Sequence, residues 1–259
     1  MTLLLDYAWA KPSPAAIKAA GYSGVMRYLS TDATKNLSKS EAAGLLAAGL
    51  SIGLVWETTA IRAGQGFAAG AADAVTAEAQ AAALGYPSTA VLFYAVDYDA
   101  APAAVAPYFA GVGSKAHHPV GVYGSARVVE GVAAPWKWQA CAWSAGRVSA
   151  SAHLYQRLHA TVAHPLSSTD ENVVLHAFPM WTNTPAPLPG PASPIPPVFT
   201  KPTPVPTPTP EVDMPLTDAD AIKVAEQVWR RFVIHTPNGG TMSLADTLAK
   251  ILADVEAKA

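Results

Sequence analysis

The sequence predicts an α/β fold: a closed (β/α)8 barrel of the TIM type, then a proline-rich spacer and a small α-helical module. Three observations carry this reading. Apolar runs of strand length alternate with alanine-rich stretches of helix length. Eight such runs fit between residues 1 and 183. Composition then breaks at Thr184, beyond which proline dominates. Continuous apolar strands alternating with helices make a parallel sheet covered by helices, and eight units close into a barrel. A doubly wound open sheet is the competing arrangement, but no GxGxxG follows the first run.

The elements follow in order. "LLLDYA" precedes "SPAAIKAAG", and "VMRYLS" precedes "SKSEAAGLLAAGL", where Ser38 and Glu41 have capping-box spacing. "SIGLVWET" leads into an alanine-rich helix from about Ala68 to Leu84. "AVLFYAVDYD" precedes "PAAVAPYFAGVGSKA", and "VGVYGS" precedes "ARVVEGVAA". "QACAWSA", "HLYQRL" and "NVVLHAF" complete the eight with shorter connections.

Residues 184–215 hold most of the 23 prolines. Proline fixes φ and removes a backbone donor, so the segment is an extended spacer. Its TP repeats have no flanking cation beyond Lys201, which disfavours an SH3-type ligand. In residues 216–259, Thr217 and Ser243 are helix N-caps with Asp220 and Asp246 three residues on, and "TPNGG" is a turn between two helices. Leu244, Leu248, Ile251, Leu252 and Val255 form one apolar stripe. So short a segment cannot bury the stripe alone. It self-associates into a homo-oligomer, docks on another protein or folds back on the barrel.

A formal net charge of −2, without a block of Lys or Arg, excludes an electrostatic footprint for nucleic acid or an anionic membrane. "MTLLLDYAW" lacks a basic region before its short apolar run, so no signal peptide is expected, and no run reaches membrane-spanning length. The one cysteine, Cys141, excludes an intrachain disulfide framework and reads as a buried structural thiol. No EF-hand or phosphate-cradling spacing occurs, so neither metal nor cofactor is expected. His117 and His118 enter the fifth strand at the non-catalytic end and read as solvent-exposed. Ser125 lacks a GxSxG elbow. Lone acids such as Asp32 and Asp73 read as turn formers or caps.

Other acids fall at strand ends. Asp6 closes the first strand and Glu57 the third; Asp97 and Asp99 close the fourth; Asp170 precedes the last. Alternation puts Phe93, Ala95, Asp97 and Asp99 on one strand face. In a (β/α)8 barrel the C-terminal strand ends form the active-site mouth. Clustered carboxylates push their pKa values apart, which is the division of labour glycoside hydrolysis needs. Asp99 or Glu57 is the candidate general acid and Asp97 the stabiliser or base. Tyr7, Trp9, Trp56, Tyr94, Tyr123 and Trp143 lie near the same ends, where aromatic faces suit sugar rings, and Gln156 and Asn172 join the substrate-binding candidates.

"LLDYAWAKPSPAAIKAAGYSGVMRYLS", "KNLSKSEAAGLLAAGLSIGLVWE", "LFYAVDYDA", "VGVYGS" and "ACAWSAG" resemble, in order, the glycoside hydrolase-like domain family of actinobacteria and their phages. The resemblance spans roughly residues 2–178. It implies a TIM-barrel-like fold, distantly similar to the family 25 muramidases that cleave peptidoglycan glycan strands. Those muramidases carry Asp-x-Glu at the fourth strand end, with the Glu as proton donor. "DYD" puts Asp99 in that place, as in the nearer family. Asp6, Asp97, Asp170 and Asn172 match family positions, and Glu57 matches its "VWE" motif. With the spacer and module, the resemblance implies a phage protein. One role is an endolysin held in the host cytoplasm until release to the wall. The other is a virion tail protein attached through 216–259. A non-catalytic wall-binding barrel is the alternative to a hydrolase.

Overall fold

A computed structural model describes residues 1–157, 166, 168–183, 233–235 and 241–243. The chain divides into two compact units, Met1–Thr200 and Lys201–Ala259. The division falls inside the predicted spacer, which itself lies outside the described residues.

The first unit is a closed eight-stranded barrel in sequential order: β1 (Thr2–Asp6), β2 (Gly24–Leu29), β3 (Ser51–Trp56), β4 (Leu92–Ala95), β5 (Val120–Gly124), β6 (Trp136–Ala140), β7 (Leu154–Gln156) and β8 (Asp170–Val174). Among the described residues of this unit, five helices accompany it: α1 (Pro14–Ala19), α2 (Lys39–Ala47), α3 (Gly66–Leu84), α4 (Pro102–Gly113) and α5 (Ala126–Gly131). β1 to β7 pair in parallel. The expectation of eight parallel strands needs one correction: β8 runs antiparallel to both β7 and β1. An antiparallel neighbour requires no crossover helix. β6 also starts earlier than "QACAWSA" implied, and Cys141 lies just past its end, half-buried.

Strand alternation builds two apolar layers. Leu4, Met26, Val55, Phe93, Tyr123, Trp138 and Leu154 fill the barrel interior. Leu5, Val25, Leu54, Trp56, Leu92 and Tyr94 face the helices, against Ile17, Leu45, Ala77 and Val105. Interior fit depends on a missing side chain. A Cβ on Gly121 would sit 2.4 Å from the Phe93 ring. After β8 the chain crosses the floor of the barrel. Trp181 exchanges two 2.9 Å backbone bonds with Ile52, Pro179 accepts from Val91, and Phe178 meets Phe93 edge-on at 5.6 Å.

Helix starts follow local chemistry. Ser13 caps α1, with Pro14 in its first turn, and Ser38 caps α2 by accepting from the Glu41 amide. Glu41 does not complete the capping box; it pairs with Arg27 of β2. Ser125 is the N-cap of α5. Asp32 accepts from the Thr34 amide and so forms the expected turn. Asp73 is no cap. It lies within α3, bound by Arg62 and by the Tyr108 hydroxyl. His117 is exposed as expected, but His118 is buried, with Nδ1 2.6 Å from Glu78.

In the second unit the described residues form an antiparallel pair, β9 (Val233–His235) against β10 (Thr241–Ser243), on either side of "TPNGG" in the sequence. The described residues flanking that segment are strands, and Ser243 is the last residue of β10. The predicted helices and the apolar stripe lie outside the described residues.

Candidate active site

The reversal of β8 assembles the site. In a parallel barrel Asp170, at the start of its strand, would lie at the floor. Running backwards, β8 carries it to the mouth, where it is the register partner of Asp6 at the end of β1. Asn172, two residues on, projects to the same side. Its Nδ2 donates to Asp6 Oδ2 at 2.6 Å, and its Oδ1 accepts from Trp138 Nε1 at 2.7 Å. Gln156 Nε2 donates to the same Oδ2 at 3.2 Å while its Oε1 accepts from the Tyr123 hydroxyl at 2.9 Å. Tyr28 donates to Asp6 Oδ1 at 3.2 Å.

Asp6 is 2% exposed. Burial first, and the Asp170 carboxylate second, push its pKa from 3.8 up to about 7 against the opposing pull of Asn172, Gln156 and Tyr28. Tyr123 shows which acids converge. Its phenol is held well above its ordinary range by burial, then by Asp97, Asp6, Glu57 and Asp170. Tyr28 is raised by burial and by Asp6, Glu57 and Asp170 among its neighbours. Four of the five predicted acids therefore lie near the Tyr123 phenol, and three of them also near that of Tyr28.

Asp99 does not join them. β4 ends at Ala95, so the alternation assumed through Asp99 stops short of it. Asp99 is 56% exposed at its side chain and pairs with Arg127 of α5 at 2.8 Å. Glu57 is at the mouth but accepts a hydrogen bond from Lys35, whose ammonium also lies 4.4 Å from the Tyr28 ring centroid. Both sequence candidates for the proton donor are thus engaged in ion pairs.

Tyr94 and Tyr7 leave the predicted set for the reason of alternation. Tyr94 follows Phe93 and points outward. It is fully buried, and its phenol is raised by burial and then by Glu78 and Asp73 of α3. Tyr7 follows Asp6 and packs in the helix layer, its ring 4.4 Å from the Arg27 guanidinium carbon and its carbonyl accepting from Arg27. Trp56 lies in the same outer layer. Tyr123, Gln156 and Asn172 are brought together at Asp6, and Trp143 is half-buried in the turn after β6, with φ of 54°. Sequence reasoning missed Tyr28, Trp138 and Lys35. Tyr28 shares the inward parity of Met26 and was discoverable from it. Lys35 sits in a loop and carried no periodic signal.

Among the described residues no group of three or more His, Cys, Asp or Glu has metal-holding geometry. The arrangement offers one buried carboxyl of raised proton affinity, Asp6, with further carboxylates near it at the mouth.

No curated protein matches the chain. Among solved structures, the Tat-secreted protein Rv2525c of Mycobacterium tuberculosis, in complex with L-tartrate, aligns at 25% identity with a TM-score of 0.63, over 70% of this chain and 99% of that one. An uncharacterized B. stearothermophilus protein aligns at 18% identity and a TM-score of 0.51, over 67% of this chain and 96% of that one. A bacterial lysozyme from Streptomyces coelicolor aligns more remotely, at 14% identity and a TM-score of 0.46, over 68% and 93%. The sequence model described as "Rv2525c-like, glycoside hydrolase-like domain" matches residues 15–174, more than half of the chain. The chain belongs to the family of Rv2525c-like, glycoside hydrolase-like domains.

Proposed function

We propose that the barrel is a glycoside hydrolase of muramidase type, acting on peptidoglycan glycan strands at its mouth. The observation that carries this is Asp6, buried beside Asp170 and holding its proton to about pH 7, with Asp97 across the mouth. Adjacent carboxylates that cannot both ionise share one proton near neutral pH. In this reading the Asp6–Asp170 pair is the acid. Asp170, the half-buried member, passes the proton to the glycosidic oxygen as the C–O bond breaks. Asp97 stabilises the positive sugar, or deprotonates the attacking water. Asn172, oriented by Trp138, and Gln156, oriented by Tyr123, hold Asp6 in place.

A second reading is a wall-binding barrel without hydrolysis. Its support is that Asp99 and Glu57, the donor candidates by position, are both ion-paired. One digest separates the two. Purified protein incubated with sacculi should release new reducing ends and no new amines. Asp97→Asn should abolish release while sedimenting with the wall as before, and Asp99→Asn should keep most of the activity. Sedimentation without reducing ends establishes the binding reading instead. The setting we propose is a phage lysin, released to the wall or carried on the tail, and mass spectrometry of purified virions tells these apart.

A further inference from the structure

Trp9 lies in the loop after β1 and is 64% exposed, the most exposed aromatic side chain among the described residues. An exposed indole is ordinarily free to turn. This one is tied. Its Nε1 donates to Thr34 Oγ1 at 3.2 Å, and Thr34 Oγ1 donates to Asp32 Oδ1 at 2.7 Å. Asp32 is anchored in turn by the Thr34 amide at 3.0 Å. The Lys35 ammonium stands 5.6 Å from the indole centroid, within cation–π range. Lys35 also binds Glu57 and covers Tyr28, which donates to Asp6. A continuous chain of contacts therefore links an exposed aromatic face to the carboxylates of the mouth.

Fixing a large apolar face in water gains nothing for folding. It removes rotamer entropy before a ligand arrives, which is how a binding surface is preorganised. The ligand chemistry follows from the face: a flat π surface takes the axial C–H side of a pyranose ring. The polar Thr34 and Asp32 at its Nε1 edge suit ring hydroxyls and acetamido groups.

We infer that Trp9 is a stacking platform for an N-acetylhexosamine ring of the glycan, on the β1–β2 side of the mouth. This rests on the glycan-binding part of the function proposed above.

Chitotetraose is the probe, titrated into the full chain by calorimetry and by tryptophan emission. The wild type should bind, and Trp9→Ala should weaken binding about tenfold, the scale of one aromatic contact. Trp9→Phe should keep most of the affinity while losing the emission change, which assigns that change to Trp9 among the seven tryptophans. Thr34→Val, which keeps the indole but unties it, should weaken binding several-fold. Wild-type affinity in both Trp9→Ala and Thr34→Val overturns the platform and leaves the proposed function standing. A wild type that binds neither chitotetraose nor sacculi overturns both.

Discussion

Asp6 makes the molecule's response to pH a property of one residue. An acid whose proton is held more tightly folded than unfolded takes up a proton on folding. Asp6 therefore contributes a loss of stability as pH rises from about 4 to about 7, level above that. At ~1.4 kcal/mol per unit the loss has an order of 2–4 kcal/mol. Asn fits the same place: its amide oxygen can take the bonds from Asn172 and Gln156, and its NH2 can donate to the Tyr28 hydroxyl. Urea unfolding of wild type and Asp6→Asn at pH 4, 6 and 8 should show the variant gaining on the wild type as pH rises. Parallel curves would remove the burial argument. The acids of this site were legible because charge is scarce in the chain and each falls at a strand end. What the sequence could not show is which way neighbours turn. Asp99 was placed by extending alternation two residues past a strand that had stopped, and Tyr94 by proximity rather than parity.

At the scale of elements, α3 and α4 pack backbone to backbone. A Cβ on Gly70 would lie 1.9 Å from the Tyr108 carbonyl oxygen, and one on Gly111 2.0 Å from that of Phe67 and 2.8 Å from the Ala71 amide nitrogen. Neither obstacle is a flexible side chain, so the helices would have to part. Gly111→Ala should cost about 1–3 kcal/mol or more, read as a fall of several degrees in thermal midpoint. Gly44→Ala in α2, where the nearest atom is Pro14 Cγ at 3.7 Å, should be neutral or stabilising by up to ~1 kcal/mol. Equal effects at the two sites would refute the close-packing account. The order of elements was readable because period and capping residues declare helix and strand. The direction of β8 was not. An apolar run has a period but no sense of direction, and "NVVLHAF" reads alike running up or down the barrel.

The whole molecule joins a barrel to a separate unit whose apolar stripe is known from sequence alone. We expect self-association through residues 216–259: light scattering should find an oligomer for the full chain and a monomer for residues 1–183 at micromolar concentration. Two monomers would exclude it. Ending the shorter chain at 183 matters, because Phe178, Met180 and Trp181 seal the barrel floor. The pairing of β1 with β8 has a consequence in time. The barrel's β1 finds its second neighbour only after residue 170 has been synthesised, and the bond from Asn172 to Asp6 spans 166 positions. Closing such a loop is among the slowest contacts a chain can make. A nascent barrel therefore remains an open sheet with two bare edges, and β1 waits for a partner. The carboxylate site exists in no partial product: a chain whose translation stops before β8 lacks Asp170 and Asn172, and the cluster around Asp6 forms only with closure.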